Sequence, residues 1–261
     1  MERTGTNTNA PWGPNESHVV HTNSTDKEYS KNEEEKNAGS GSDSISGRIL
    51  GDIYPAIQQV LLHLINLSLC SGQYPKRFKE TKIIPQVKQG KDPLDAKSYR
   101  PIANLCSIGK HIELAFFEQV TAFLTSTNQI NKNQHGGRKG HSTTTCVVEL
   151  VSSIQQGLDD KLKVGMVIVD LSAAYDLCNH KILLQKIRLL KLGNEAEKWI
   201  TSFLEDRHQF VEINGTRSQI LKMGTNGVIQ GGPSSCQLFT IYVNDLPAQI
   251  NEKKNRVHQR R

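Results

Sequence analysis

The sequence predicts a mixed α/β (α+β) domain of layered helices and sheet behind a disordered tail, on three observations. Residues 1–48 are rich in Asn, Ser, Thr, Gly and Glu, with "KNEEEKNAGSGSDS" as the extreme, and show almost no apolar periodicity. From Asp52 onward, apolar residues recur at the helical period in one segment after another. Among those segments stand two of strand type: "VGMVIVD" at 164–170, and "QFVEINGTRSQILKM" at 209–223, which alternates about Asn214-Gly215.

Taken in order, residues 1–48 cannot bury enough apolar surface to offset the entropy of ordering, so they are expected to be disordered. The first helix is expected to open at Pro55, to carry Ile57, Val60, Leu61, Leu64 and Leu67, and to stop at Gly72. "TKIIPQV" (81–87) reads as a strand whose proline places it at a sheet edge. Helices follow over about 108–124 and 142–158, the second capped by Ser142. Val164–Asp170 is the strongest strand signal. Two helices over 180–191 and 195–205 flank Gly193, with Asn194 and Glu197 at capping-box spacing. Asn214-Gly215 marks a type I′ hairpin, and a last helix runs from Ser234 to about Ile250. The domain thus spans 49–250, and 251–261 is a basic, frayed end.

Charge adds a partner class. The net charge is +6, yet residues 1–48 hold five Lys/Arg against eight Asp/Glu, so 27 and 18 remain downstream. A basic body of this kind favours a polyanion, because neutralised phosphates release counterions. The five cysteines show no Cys-x-x-Cys and no zinc spacing, which points to a reducing, intracellular setting. No charged-then-apolar leader and no run of 18 apolar residues appears, so secretion and membrane spanning are not expected.

Three stretches could carry chemistry. Asp170 is an acid at the end of an apolar strand, with Asp176 soon after. It can bind a divalent cation together with the Leu171 carbonyl, or it can cap the turn, and the residues alone leave both readings open. "QHGGRKGHSTTT" (134–145) is a basic, glycine-rich entry to a helix, suited to a phosphate or simply a flexible loop. It does not fit P-loop spacing. In "GVIQGGPSSCQLFTIYVNDL" (227–246), Gln230 sits beside two glycines before an apolar helix.

In this order the stretches resemble the reverse transcriptases of non-LTR (LINE-like) retrotransposons, over about residues 53–250. "LLHLINLSLCSGQYPKRFKETKIIPQVKQG" is similar to the family's helix followed by G-x-x-P-x-x-W/F-K and P-x-x-K-x-G. "SYRPIANLCSIGKHIE" resembles Y-R-P-I-x-L-x-x-x-x-K-x-x-E, and "QHGGRKGHST" resembles Q-F-G-F-R-x-G-x-S-T. "VDLSAAYDLCNHKILLQKIRLL" is similar to D-L-S-K-A-F-D-x-V-x-H-x-x-L, and "FLEDRHQFVEINGTRS" to the strand pair before G-V-P-Q-G.

The resemblance implies right-hand polymerase fingers and a partial palm, acting on an RNA template, a DNA primer and deoxynucleoside triphosphates with Mg²⁺ or Mn²⁺. It makes Asp170 the first metal-binding carboxylate, with the Leu171 carbonyl beside it, and Tyr175 the ring under the nucleotide sugar. Asp176 is expected to start the next helix. Lys88 and Arg100 become triphosphate clamps, Arg138 a nucleic-acid contact, and Gln230 and Gly231 a nucleotide and template contact. His135 and Gly137 stand where the family has aromatics, so the loop is expected to lose apolar packing; Ile229 stands where proline is common. The family's aromatic-Ala-Asp-Asp hairpin does not follow "YVNDL", where Asp245 belongs to a helix end, and no Asp-Asp occurs after residue 160. The chain by itself is therefore expected to polymerise little or not at all, the alternative being a non-catalytic nucleic-acid-binding remnant.

Overall fold

The computed structural model describes residues 39–247. The expected tail up to residue 38, the last residues of the expected final helix and the basic end at 251–261 lie outside the described residues. Residues 40–42, expected to belong to the disordered tail, are packed on the rest of the chain. Gly41 is buried so closely that a Cβ there would lie 2.5 Å from the Cys106 amide nitrogen. Asn104 Nδ2 donates to the Ser40 carbonyl at 3.0 Å, and Ser42 Oγ to that of Glu80 at 3.3 Å.

Helix α1 spans Gly47–Ser71, so Pro55 lies within it instead of opening it. The start is set by Ser46, whose side chain accepts from the Ile49 amide. Pro55 costs one helical hydrogen bond, and the buried face of Leu50, Leu61, Ile65 and Leu69 holds the helix through it. Gly72 ends α1 in the left-handed region at φ 64°, as expected.

Strand β1 (Glu80–Val87) follows a single 3₁₀ turn and pairs antiparallel with β2 (Tyr99–Asn104), Ile84 opposite Ile102. It also pairs in parallel with β3 (His208–Ile213) over Glu80–Ile83. Hence β1 lies inside the sheet, correcting the edge expectation. Pro85 is tolerated because it falls beyond the β3 pairing, where no neighbour needs its missing N–H. Asn214 (φ 49°) and Gly215 (φ 79°) turn β3 into β4 (Thr216–Arg217), the expected type I′ hairpin, and β5 (Leu221–Lys222) pairs with β3 as well.

The main core lies among helices. Helix α2 (Ser107–Ser126) packs against α1 and against α6 (Pro233–Val243). Helix α4 (His180–Leu189) leads into α5 (Asn194–Leu204), and α5 packs on α1. At the centre, fully buried Trp199 stacks on Phe116 at 3.9 Å and Phe203 at 5.5 Å, with Tyr74 edge-on and its Nε1–H on Ser68 Oγ at 3.0 Å. The expected capping box at Asn194 is not formed. Gly193 (φ 111°) is the cap, Asn194 is already helical, and Glu197 instead faces Arg188 at 3.8 Å. Helix α6 ends at Val243, because the Asn244 side chain leaves to bond the Asn131 amide and the Gln129 carbonyl.

Two segments stand apart. Helix α3 (Thr143–Asp159) has the expected Ser142 cap, reciprocated by Thr145, but none of its residues is buried. Val164–Asp170 is not a strand: residues 162–171 have no regular structure, and Val167, Ile168 and Val169 are 89%, 81% and 78% exposed. Their β-branched composition suits a pleated surface, yet a strand exists only against a neighbour, and no described strand lies beside this one.

Candidate functional site

A main-chain strip over residues 225–232 joins two parts of the chain that are far apart in sequence. On one side it pairs with the turn after Asp170: Val228 N–H donates to the Tyr175 carbonyl at 2.9 Å, Gly227 N–H to that of Cys178 at 2.8 Å, and His180 N–H to that of Thr225 at 3.1 Å. On the other side the Ala103 amide of β2 donates to the Gln230 carbonyl at 2.8 Å. Gly231, at φ 105°, is needed here by the fold itself. A Cβ on it would sit 2.9 Å from the Ala103 carbonyl oxygen, so the close approach is to β2 and not only to a ligand.

This stitching leaves a cleft of about 800 Å³. Lys88 and Arg100 line it from the outer ends of β1 and β2; Asp170, Leu171, Tyr175 and Asp176 from the turn; Gln230 and Gly231 from the strip. The cleft therefore gathers every expected site residue except Arg138. Asp170 lies on exposed irregular chain and not at the end of a strand. Asp176 accepts from Gln230 Nε2 at 3.1 Å, and it sits in the turn, four residues ahead of α4. Lys88 Nζ donates to the Lys97 carbonyl at 2.9 Å, which aims it along the loop before β2. The Tyr175 ring stacks on Phe239 of α6, centroids 5.1 Å apart. Burial, and then the neighbouring Cys236 thiol, push its hydroxyl above the usual phenol value, so it stays a neutral donor.

Arg138 lies elsewhere. Its guanidinium donates to the Asn131 and Lys132 carbonyls, both at 3.4 Å, and lines a second cavity of about 820 Å³ between α2, α6 and its own loop. That loop lies flat on α6: a Cβ on Gly137 would be 2.6 Å from Cys236 Sγ. His135 does not leave the loop loose. It bonds Glu149 Oε2 at 2.9 Å and Thr145 Oγ1 at 3.0 Å, so a polar tether to α3 replaces the apolar packing expected to be lost. Asp245 pairs with Lys186 at 2.5 Å, at the end of α6 and outside the cleft.

One residue was matched in the sequence, at the end of "SYRPIANLCSIGKHIE", but given no role there. Glu113 of α2 has zero exposure, and its carboxylate accepts from Ser234 Oγ at 2.7 Å and Tyr74 OH at 3.2 Å. Burial pushes its carboxyl up, opposed by the Arg207 guanidinium and by the Ser234 bonds. Arg207 is itself buried, over the Tyr74 and Phe203 rings. The legible signal was an acid on the apolar stripe of a helix, next to Ile112 and Phe116. Through Ser234, Glu113 is bonded to the first turn of α6, just past the strip.

The donor set is short for a metal. Asp170 and Asp176 offer hard oxygen ligands, but no group of three His, Cys, Asp or Glu side chains converges among the described residues.

Comparison with known proteins follows the same residues. The family described as "Reverse transcriptase (RNA-dependent DNA polymerase)" matches residues 87–260. The "RNA-directed DNA polymerase from mobile element jockey" of Drosophila funebris is 34% identical over 194 residues, 73% of this chain and 21% of that protein. Its Drosophila melanogaster counterpart is 30% identical over 207 residues, 79% of this chain and 22% of the relative. A "Probable RNA-directed DNA polymerase from transposon BS" of Drosophila melanogaster is 32% identical over 174 residues, 67% of this chain and 19% of the relative. The chain spans about a fifth of the length of these relatives.

Proposed function

Since the chain belongs to the reverse transcriptase (RNA-dependent DNA polymerase) family, we propose that its cleft is the nucleotide-receiving face of a retroelement polymerase domain. It would take a deoxynucleoside triphosphate while the basic body holds an RNA template and a DNA primer. One observation carries the reading: residues from three separate stretches of sequence, around 88–100, 170–176 and 230–231, line a single cleft.

Lys88 and Arg100 supply the positive end, Lys as a point charge and Arg as a fork that grips two phosphate oxygens. Tyr175, backed by Phe239, is a flat wall for the sugar, and its bulk disfavours a 2′-hydroxyl. The strip at Gln230–Gly231 offers main chain to a base edge. Asp170 and the Leu171 carbonyl would be the oxygen donors for Mg²⁺ or Mn²⁺, and Gln230 holds Asp176 beside them. A bound divalent cation supplies charge neutralisation and activation of a primer hydroxyl. Among the described residues no third acidic, His or Cys side chain joins Asp170 and Asp176.

A fluorescent dNTP titrated into the chain tests the reading. Lys88→Ala with Arg100→Ala should weaken binding about tenfold or more, the loss of two charge-assisted contacts. Equal affinity for wild type and the double variant sinks it. The second reading, a domain that holds nucleic acid by its backbone without taking a nucleotide, is favoured by the basic body, 27 Lys and Arg against 18 Asp and Glu downstream of residue 48. It predicts salt-steep RNA binding with no dNTP affinity.

A further inference from the structure

The outward side of α1 takes no part in the cleft. Ile49, Ile53, Ala56, Val60, His63 and Leu67 follow one another at alternating steps of four and three residues, and every one is exposed. Cys70, the next in the series, is exposed too. Val60 reaches 70% exposure and Leu67 56%. This alternation is heptad spacing, the pattern with which one helix meets another, and it is sustained over three heptads. The inward side has its own seam of Leu50, Leu61, Ile65 and Leu69 in the core. A helix apolar on both sides is normally covered on both.

We propose that the outer seam of α1 is the interface with a second copy of this chain, the two helices running antiparallel. By length and composition alone α1 could cross a membrane. A bilayer, however, selects no three-four alternation, and a helix lying on its surface draws on several basic residues, whereas α1 holds only Arg48. Self-pairing fits the seam itself. Its positions carry no carboxylate and no Lys or Arg, so two copies bring no like charges together.

The flanks choose the direction. On one side of the seam Leu50 is buried and Ile57 and Leu64 are half-buried; on the other, Asp52 and Gln59 are exposed. Antiparallel helices set like flank against like, so apolar edges meet and polar edges meet at the water. Parallel helices would set apolar against polar. Antiparallel pairing also brings small Ala56 opposite the bulkier His63 and Leu67 half of the other helix, a hole for a knob.

Sedimentation velocity on the full chain from about 1 to 100 µM tests the proposal. Wild type should form a reversible dimer. Val60→Glu should raise its dissociation constant about a hundredfold or more, while the thermal midpoint measured at concentrations where both proteins are monomeric stays put, because Val60 already faces water in a single copy. Leu94→Glu, at a site 94% exposed outside the seam, should leave the dimer unchanged. A monomer throughout, with or without binding to phosphatidylcholine vesicles, overturns the proposal, as does a Val60→Glu dimer as tight as wild type. A Cys70–Cys70 disulfide mapped in the oxidised dimer would put the helices parallel and overturn the arrangement.

Discussion

Gln230 Nε2 donates to Asp176 Oδ1 at 3.1 Å, joining the glycine-rich strip to the turn that follows Asp170. The pair is exposed, so it contributes little to stability and mainly fixes orientation. Gln230→Glu would set two carboxylates against each other. Nucleotide affinity should fall about tenfold while the urea midpoint barely moves, measured by fluorescence titration and circular dichroism.

Gly231→Ala should act the other way, on the fold first. The new Cβ would meet the Ala103 carbonyl oxygen at 2.9 Å with the backbone at φ 105°. A loss of about 2 kcal/mol is expected in urea unfolding. An Ala variant as stable as wild type would show that β2 yields freely at this point.

Glu113 predicts a pH signature. Burial raises its carboxyl above the usual 4.5, so the folded state holds that proton more tightly than the unfolded state does. Its contribution is fully present below about pH 4.5 and is lost as pH rises through the raised folded value. Glu113→Gln abolishes this slope. Unfolding free energies of the two proteins should therefore shift in favour of the variant between pH 5 and pH 8, and parallel curves would refute the assignment.

The exposed stretch at 164–169 predicts tolerance. Ile168→Lys should change stability by less than about 0.5 kcal/mol, since Ile168 is 81% exposed and packs on nothing that would resist. A loss of several kcal/mol would mean that this chain segment is covered in solution.

Local signals read well wherever a residue acts on its own neighbours. Ser142, Gly72 and Asn214-Gly215 declared a cap, a stop and a turn, and each stands where it was expected. The errors share a cause, which is that a strand or an edge is a relation between segments. Val164–Asp170 has strand chemistry without a neighbouring strand, and Pro85, itself beyond the reach of β3, suggested an edge for a strand whose residues Glu80–Ile83 do pair with β3. Asn194 had the right spacing for a cap, but Gly193 could take φ 111° and stop the preceding chain first. The cleft was legible as a set of motifs; its assembly was not, because main-chain bonds such as Ala103 to Gln230 leave no mark on residue type. The role of Glu113 was hidden for a similar reason, its partners Tyr74 and Ser234 lying 39 and 121 residues away.

The strip at 225–232 is tied to its flanks by main-chain bonds at Ala103, Tyr175 and Cys178, to which Gln230 and Asn226 add side-chain bonds, while Lys88 and Arg100 line the cleft without belonging to that ladder. Width and chemistry are thereby separable properties. Exchanging Lys88 or Arg100 therefore removes charge from the cleft without removing a bond that holds the strip, so selection can revise the lining while leaving the aperture alone.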